Sequence, residues 1–533
     1  MAAAATDAWW QSGVIYQIYP RSFQDSNGDG IGDLRGITQR LDYLKWLGVD
    51  AIWISPIFPS PMADFGYDIS DYTGIDPIFG TLSDFDALLE AAHARDLKII
   101  LDFVPNHTSD RHPWFQESRK SRDNPMRDWY IWRDPAPGGG PPNNWLSEFG
   151  GGAWTLDERT GQYYYHAFLE EQPDLNWRNP AVIAAMDDAL RFWFDRGVDG
   201  MRIDALHHSI KDAQFRDNPP NPDWKPGMKP HLKVRRAHTV DQPEMRSLVM
   251  GWRKVADEYE GRVLIGEINL PIPRLMRYYG PQLDGLQLPF NFGLMNTRWG
   301  AATIGDLIAR YEAALPEGAW PNWVIGNHDI SRVATRLGPE GARLAAMLIL
   351  TLRGTPTLYY GDELGMTDVP IAPDQVQDPF EKRVPGIGAG RDPERTPMRW
   401  DATPSAGFTT GTPWLPIGDG VAGCNVETER DDPTSMLSLH RALLKLHRKR
   451  TALAVGAYER VPATEDCLAF IRRHDRERLL VAMNFSPAPV ALTLPAEFAN
   501  GRVLLSTTMD RGGNASETLA LHAREGVVLA PAR

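Results

Sequence analysis

The feature that most constrains the fold is an eightfold alternation of short apolar runs with amphipathic helical stretches. Several runs, such as Ile99-Ile100-Leu101, are continuously apolar, which is typical of parallel strands buried on both faces. Helical stretches such as 82–96, 180–196 and 342–352 separate the runs. This order predicts an α/β fold, a (β/α)8 TIM barrel rather than a doubly wound sheet. The eight predicted strands are Val14–Pro20, Ala51–Ile57, Lys98–Val104, Gly200–Leu206, Arg262–Asn269, Gly285–Phe292, Trp323–Asp329 and Thr355–Gly361.

Two departures from this alternation divide the chain into domains. A long segment rich in Pro, Gly, Trp and Asn follows strand three and predicts an inserted subdomain, at the strand end where TIM barrels build active sites. After about Arg450, short strand-like runs separated by polar turns predict an antiparallel β-domain. Shorter insertions follow strand four (about 212–239) and strand eight (about 367–434). The predicted boundaries are 1–104 and 177–452 for the barrel, 105–176 for the inserted subdomain and 453–533 for a C-terminal β-sandwich.

Charge and cysteine content exclude several classes of function. The formal net charge of −13 would repel nucleic acid. Cys424 and Cys467 are too few for a disulfide framework, and we expect free thiols in a reducing cytoplasm. The N-terminal residues 1–7 lack the features of a signal peptide, and no apolar run reaches the about 20 residues of a membrane span. We therefore expect a cytoplasmic protein with no membrane or nucleic-acid partner; its oligomeric state stays open.

Charged side chains recur at the predicted C-terminal ends of the strands, where TIM-barrel catalytic groups lie. Strand four ends with Arg202-Ile203-Asp204 and strand five with Gly266-Glu267. Arg202 and Asp204 lie on the same side of the strand, so we expect Arg202 to hold Asp204 ionised. Enzymes that cleave glycosidic bonds use two carboxyl groups that face one pocket. Any one of these acids alone is more simply explained as a salt-bridge partner or a helix cap, but together they predict catalysis.

Eight segments of the chain match the motifs of one enzyme family. The segments are Asp102–His107, Gly200–Asp204, Gly266–Glu267, Asn327–Asp329, Gly354–Glu363, Gln172–Asn176, Gly66–Asp68 and Arg395–Trp400. With them the sequence resembles glycoside hydrolase family 13, the α-amylase family. The last three segments look like its α-glucosidase and oligo-1,6-glucosidase relatives. The set is highly specific and spans most of the chain, although no single segment is specific alone.

The resemblance implies a role for each matching residue. Asp204 would be the nucleophile that forms a β-glucosyl-enzyme intermediate. Glu267 would act first as the general acid and then as the base. Asp329 would stabilise the transition state through the sugar hydroxyl groups. Tyr67 would stack on the glucose, and His107, Arg202 and His328 would line the same subsite. Three further residues resemble positions in the pocket wall, although core packing explains them equally well: Phe149, Phe168 and Gln172.

The same resemblance implies a closed end to the pocket. Asp64 and Arg395 would pair beyond the non-reducing end of the substrate, with Arg391 as a weaker candidate for the role of Arg395. Such a pocket would make the enzyme exo-acting on short substrates. It implies a small-molecule α-glucoside as the partner.

Two departures from the family pattern follow the nucleophile. Ala205 resembles relatives that prefer α-1,4 bonds, whereas valine there resembles α-1,6-preferring ones. Leu206-His207-His208 replaces the more usual hydrophobic-Asn-Phe run. The two histidines either face the +1 subsite, or they simply cap the strand or face solvent, which is at least as good an explanation.

The segment Asp25–Asp33 resembles a loop that holds a structural Ca²⁺ or Mg²⁺ in relatives. Its oxygen-bearing side chains stand at alternate positions, with glycines that allow a sharp turn. The alternative is a metal-free turn rich in Asx hydrogen bonds. We expect no catalytic metal. The predicted metal ligands are Asp25, Asn27, Asp29, the Ile31 carbonyl and Asp33.

These observations together predict a retaining, exo-acting α-glucosidase that favours α-1,4 bonds of maltose-like substrates and also transfers glucose to acceptor hydroxyls. The alternative within the family is a glucosyltransferase or a sugar isomerase, similar to sucrose isomerase or trehalose synthase. A non-catalytic relative is disfavoured because all three acids are retained.

Overall fold

The computed structural model describes residues 8–532, so residues 1–7, on which the expectation about a signal peptide rests, lie outside the described part. The strands are β1 (Ile15–Ile18), β2 (Ala51–Ile54), β3 (Lys98–Phe103), β4 (Trp132–Arg133), β5 (Trp154–Asp157), β6 (Gln162–Tyr165), β7 (Gly200–Ile203), β8 (Val263–Ile268), β9 (Leu288–Asn291), β10 (Asn322–Val324), β11 (Thr355–Tyr359), β12 (Ala457–Val461), β13 (Cys467–His474), β14 (Glu477–Asn484), β15 (Val490–Thr493), β16 (Arg502–Ser506), β17 (Thr518–Leu521) and β18 (Gly526–Ala530).

Helices connect the strands through most of the chain. The α-helices are α1 (Trp9–Ser12), α2 (Leu34–Gln39), α3 (Leu41–Leu47), α4 (Leu82–His93), α5 (Pro113–Ser118), α6 (Pro180–Arg196), α7 (Met245–Ala256), α8 (Ile272–Leu275), α9 (Gly293–Asn296), α10 (Ala301–Ala314), α11 (Val333–Thr351, with a kink at Gly338), α12 (Pro379–Arg383), α13 (Val426–Asp431), α14 (Met436–Lys449) and α15 (Thr451–Ala454).

Eight parallel strands close into a barrel in the order β1-β2-β3-β7-β8-β9-β10-β11. The predicted TIM barrel and all eight of its predicted strands are therefore confirmed. Every residue of β1, β2 and β11 is buried, as expected of strands covered on both faces. The helix α6 begins with an Asn179 cap followed by Pro180, and ends at Gly197 with φ 106°, a left-handed stop that favours glycine.

The strand register brings the predicted catalytic residues to one rim. Asp102 of β3 pairs with Arg202 of β7, and Ile203 of β7 pairs with Gly266 of β8. Because parallel strands in a barrel end at the same rim, Asp204 and Glu267 emerge beside each other.

The predicted inserted subdomain contains α5 and a small antiparallel sheet in the order β4-β6-β5. Aromatic side chains fill it; the rings of Phe115 and Trp132, for example, stack with centroids 5.6 Å apart. The insertion that follows β7 packs on this subdomain, since Trp145 Nε1 donates to the Arg216 carbonyl at 2.8 Å and stacks on Phe215. The two insertions together build a wall above the barrel rim.

The predicted C-terminal antiparallel domain is also confirmed. The chain changes from helix α15 to strand β12 between Ala454 and Ala457. A five-stranded sheet (β12-β13-β14-β18-β16) and a two-stranded sheet (β15-β17) share an apolar core that includes Leu480, Leu492 and Leu519. Within residues 8–532, no helix is long and apolar enough to cross a membrane.

Candidate active site

Arg202 organises the floor of the site at the C-terminal end of β7. Its Nη1 donates to Asp102 Oδ1 at 2.7 Å and to Asp204 Oδ1 at 2.6 Å, while Nη2 lies 2.8 Å from Glu267 Oε2. The guanidinium is fully buried and lies 4.9 Å above the Trp53 ring. One positive charge therefore faces three carboxyl groups, and it fixes the two predicted catalytic acids relative to each other.

The predicted contact between Arg202 and Asp204 is confirmed, and Arg202 favours the ionised form of Asp204 as predicted, but burial outweighs its effect. Burial raises the pKa of Asp204 well above its ordinary value; Arg202 opposes this rise, and the neighbouring Glu267 and Asp102 add to it. Burial also raises the pKa of Asp102 to about 6, against the effect of Arg202. Sequence spacing places Arg202 correctly but contains no information about burial, which is the largest effect here.

The backbone after the nucleophile also contacts the predicted acid. Ala205 has φ 41°, a left-handed conformation that is uncommon for residues other than glycine. Its backbone N–H donates to Glu267 Oε2 at 2.9 Å. The strained turn thus supplies a hydrogen-bond donor that, beside the ion pair with Arg202, orients Glu267 next to Asp204.

Asp329 and His328 follow β10 and form the opposite side of the site. Arg395 Nη2 donates to Asp329 Oδ1 at 2.8 Å, and Arg391 Nη1 donates to the same oxygen at 3.3 Å. Burial opposes ionisation of Asp329, but His328, Arg391 and Arg395 outweigh burial and hold its pKa well below the ordinary value. These neighbours therefore favour the ionised form of Asp329.

His328 connects Asp329 to the predicted stacking residue Tyr67. Gln17 Nε2 lies 2.8 Å from His328 Nδ1, and His328 Nε2 lies 2.8 Å from the Tyr67 hydroxyl. Because the amide nitrogen of Gln17 can only donate, Nδ1 accepts and Nε2 carries the proton of the neutral ring. Tyr67 in turn donates to Asp102 Oδ2 at 3.2 Å and stacks on the His328 ring at 5.4 Å.

The predicted pair between Asp64 and Arg395 is wrong; Asp64 pairs with Arg391. Arg391 Nη2 donates to Asp64 Oδ1 at 2.8 Å and to Asp378 Oδ1 at 2.6 Å. Arg395 instead holds Asp329 and the His328 carbonyl. Arg391 belongs to the insertion after strand eight, whose irregular backbone offers no periodicity from which the partner could be chosen.

The predicted wall residues lie together on the side of the inserted subdomain. The Phe168 ring lies 5.2 Å from His107 and 6.1 Å from Phe149, and the Arg391 guanidinium lies 5.1 Å over Phe149. Gln172 Oε1 accepts from the Leu169 N–H, and its Nε2 donates to Asp64 Oδ2 at 3.2 Å.

One cavity of about 180 Å³ collects most of these side chains. Gln172, Arg202 and Arg395 do not line it but contact residues that do. Its sequence-predicted lining residues are Asp64, Tyr67, His107, Phe149, Phe168, Asp204, Glu267, His328, Asp329 and Arg391.

The cavity also contains residues that the sequence did not single out. Glu148 and Arg236 form an ion pair of 2.8 Å that joins the inserted subdomain to the insertion after β7. His207 and His208, which the sequence did single out, line the same cavity and are buried, so they do not face solvent. Within the described residues, neither ring nitrogen of His207 has a hydrogen-bond partner. The only sequence signal for Glu148 is its position next to Phe149, and Arg236 has none.

The predicted metal ligands lie in one loop shaped by Asx hydrogen bonds. Asp25 Oδ1 accepts from the Asn27 and Gly28 N–H groups, and Asp33 Oδ1 accepts from the Gly36 N–H. The Asp29 carboxylate accepts from the Ile31 N–H at 2.9 Å. In residues 8–532, no three His, Cys, Asp or Glu side chains are close enough to hold an ion by themselves. An oxygen-only donor set that includes the Asn27 amide and the Ile31 carbonyl fits a hard cation such as Ca²⁺ or Mg²⁺.

Family models and curated relatives match almost the whole chain. The model described as Alpha amylase, catalytic domain, matches residues 17–456, and the model described as Maltogenic Amylase, C-terminal domain, matches residues 458–522. A probable alpha-glucosidase of Rhizobium meliloti (strain 1021) is 42% identical over 91% of both chains. An oligo-1,6-glucosidase of Heyndrickxia coagulans is 40% identical over 95% of this chain and 96% of its own.

Solved structures with the same architecture include an alpha-glucosyl transfer enzyme and a trehalulose synthase. An alpha-glucosyl transfer enzyme, XgtA, superposes with a TM-score of 0.92 at 43% identity, covering 99% of this chain and 100% of its own. The trehalulose synthase MutB from Pseudomonas mesoacidophila MX-45 superposes with a TM-score of 0.90 at 35% identity, with the same coverage.

Proposed function

The chain belongs to the α-amylase family of glycoside hydrolases, and on that premise we propose that it is a retaining, exo-acting α-glucosidase. The observation that carries the proposal is the shared guanidinium of Arg202, which holds Asp204 and Glu267 side by side at one cavity. Double displacement at a glycosidic bond requires two carboxyl groups, one as the nucleophile and one as the general acid and base.

In the proposed reaction, Asp204 attacks the anomeric carbon while Glu267 protonates the departing oxygen. Asp204 must be ionised to attack, and the hydrogen bond from Arg202 stabilises that form. Glu267 then removes a proton from water or from an acceptor hydroxyl, whose oxygen bonds to the anomeric carbon as the bond to Asp204 breaks; water yields glucose and an acceptor yields a new glucoside, both with retained configuration. Asp329, ionised and held by Arg395, faces the same cavity and stabilises the positive charge that develops on the sugar.

The closed end of the cavity supports attack at a terminal glucose unit. Asp64, Arg391 and Asp378 form a buried ion-pair network at the cavity, and we place the terminal glucose against it. Carboxylate and guanidinium groups there offer hydrogen bonds to hydroxyl groups of one sugar ring. Short maltose-like α-glucosides are therefore the proposed substrates.

The linkage preference is proposed from the residue after the nucleophile. Ala205 lines the cavity beside Glu267, and its methyl group leaves space that a branched side chain would fill. We propose that this space favours α-1,4 bonds. His207, whose ring nitrogens have no protein partner within the described residues, offers hydrogen bonds to the leaving group or acceptor.

A glucosyltransferase or sugar isomerase is the second candidate function. The likeness to XgtA and to trehalulose synthase MutB favours it, since these enzymes are named for glucosyl transfer and trehalulose synthesis. The covalent intermediate is common to all three outcomes, and the group that occupies the acceptor side decides among them.

Two further properties belong to the proposal. Cys424 and Cys467 are free thiols, which supports a reducing cytoplasm as the location. The Asp25–Asp33 loop is proposed to bind one structural Ca²⁺ or Mg²⁺, whose positive charge would tie the loop oxygens together without taking part in the reaction.

Product analysis with maltose, isomaltose and sucrose tests the proposed function. We expect glucose from maltose at a higher kcat/KM than from isomaltose, together with transfer products at high maltose concentration. Isomerised disaccharide formed from sucrose as the main product would instead support the second candidate. An inactive protein on all three sugars would contradict both.

A further inference from the structure

Lys211 is a fully buried lysine that the proposed reaction does not use. Seven residues after Asp204, it lies where the inserted subdomain, the end of β3 and the chain after β7 meet. It forms an ion pair with the buried Asp174 of the subdomain, and its Nζ donates to Asn106 Oδ1 at 2.8 Å. Burial lowers the pKa of Lys211, and Asp174 opposes this by favouring the charged form.

The charge of Lys211, together with the Asp174 carboxylate beside the Asn106 side chain, determines which way the Asn106 amide points. An ammonium group donates hydrogen bonds and accepts none, so the oxygen of the amide must face Lys211. The amide nitrogen of Asn106 then faces His107, where Nδ2 lies 3.0 Å from Nδ1. An amide nitrogen also donates only, so His107 Nδ1 must accept.

This chain of donors fixes the proton of His107. Burial lowers the pKa of His107 to about 3, so the ring is neutral near pH 7 and carries a single proton. With Nδ1 accepting, that proton lies on Nε2, which is 3.0 Å from the Tyr67 carbonyl oxygen. Gln172 Nε2 lies 3.0 Å from the same ring nitrogen and donates one hydrogen to Asp64, whereas the Tyr67 carbonyl can only accept and so requires a proton on Nε2. The carbonyl therefore receives the proton.

We propose that Lys211 is a positioning residue that sets the tautomer and the ring orientation of His107 through Asn106. The proposal rests on the proposed function, because it gives His107 a place in the glucose-binding cavity. Lys211 itself lies behind this cavity and acts on substrate only through the two residues between them. If Lys211 only stabilised the packing of the subdomain on the barrel, its ion pair with Asp174 would be sufficient and its hydrogen bond to Asn106 would have no role.

The spectroscopic test separates these two roles. Selective ¹⁵N-histidine labelling gives signals from 13 histidines, and the His107→Gln variant identifies the signal of His107. The ¹⁵N shifts of a neutral ring distinguish a proton on Nε2 from one on Nδ1. We expect the wild type to carry the proton on Nε2. Asn106→Asp keeps the side-chain size and the acceptor for Lys211 but presents an oxygen to Nδ1, so we expect Nδ1 to become protonated.

The matched variant for Lys211 itself is the double change Lys211→Met with Asp174→Asn. It removes both buried charges together, so the subdomain keeps an uncharged contact and no carboxylate is left unpaired. We expect a folded protein in which His107 populates both tautomers. The control is Lys445→Met on the exposed side of α14, which leaves the His107 signal unchanged.

Kinetics supply a second readout. Loss of a group that orients a site residue costs about 10- to 100-fold in activity, so we expect kcat/KM for maltose to fall by that factor in the double variant and in Asn106→Asp. A Nε2-protonated His107 in both variants would overturn the proposal, whatever the activity. A wild type without α-glucosidase activity would instead overturn the proposed function, and the tautomer measurement would still decide the role of Lys211.

Discussion

Replacing Arg391 by alanine removes a guanidinium that lines the cavity beside Asp64. Three carboxyl groups lose a donor: Asp378 at 2.6 Å, Asp64 at 2.8 Å and Asp329 at 3.3 Å. Asp329 keeps its shorter contact with Arg395, so the loss falls on Asp64 and Asp378. The perturbation therefore acts at the closed end of the cavity and leaves the Arg202 cluster intact.

The magnitude follows from the strength of charged hydrogen bonds. One such bond in a buried site contributes about 1.5–3 kcal/mol, which corresponds to roughly 10- to 150-fold in binding. If Arg391 orients Asp64 against the terminal glucose, kcat/KM for maltose should fall by about that factor. Because Asp64 and Asp378 would remain buried without a cation, we also expect a lower melting temperature.

Steady-state kinetics on maltose and thermal unfolding measure both effects. Arg383→Ala is the matched control, since Arg383 belongs to the same insertion but lies 3.9 Å or more from its acidic neighbours and is partly exposed. We expect the control to change kcat/KM by less than about twofold, as for surface ion pairs. Wild-type kcat/KM in Arg391→Ala would refute the role given to the pair with Asp64.

Four further predictions concern pH, the metal, stability and Tyr67. Burial raises the pKa of Asp204, and Asp204 must be ionised to attack. The acidic limb of the pH profile of kcat/KM should therefore have an apparent pKa above the ordinary Asp value of about 3.9. An apparent pKa at or below that value would count against this prediction. Dialysis against EDTA should remove one Ca²⁺ or Mg²⁺ per chain from the loop of Asp25, seen by elemental analysis, and lower the melting temperature; absence of stoichiometric metal before dialysis contradicts this. Burial raises the pKa of Glu429 to about 8. The contribution of its protonated form to stability is therefore complete below the unfolded-state pKa near 4.5 and is lost as the pH rises towards 8. Glu429→Gln should raise the melting temperature more at pH 8 than at pH 5, and an equal shift at both pH values would be evidence against this. Tyr67→Phe removes the hydroxyl between His328 and Asp102 and should lower kcat/KM for maltose by about tenfold; unchanged kinetics would exclude a role for that hydroxyl.

Much of the barrel and its catalytic rim could be predicted because both depend on local patterns. Continuous apolar runs identify parallel strands, and a period of two places Arg202 and Asp204 on one side of β7. Strand ends in a closed barrel share a rim, so Glu267 had to lie near Asp204. The antiparallel C-terminal domain was predictable for the same reason.

The remaining features depend on contacts between distant, irregular segments. Arg391 and Arg395 are four residues apart in an irregular insertion, and only the folded chain shows that Arg391 reaches Asp64. The pairing of Glu148 with Arg236 joins two separate insertions. The pKa of Asp204 depends on how completely the folded chain excludes water, which no spacing of residues encodes.

The anomeric form of the first product tests the central claim most directly. We would follow maltose hydrolysis by ¹H NMR before mutarotation, with the wild type and with Asp204→Ala. The account predicts α-glucose as the early product of the wild type and loss of activity in the variant. Early β-glucose, or full activity in Asp204→Ala, would contradict a retaining mechanism with Asp204 as the nucleophile.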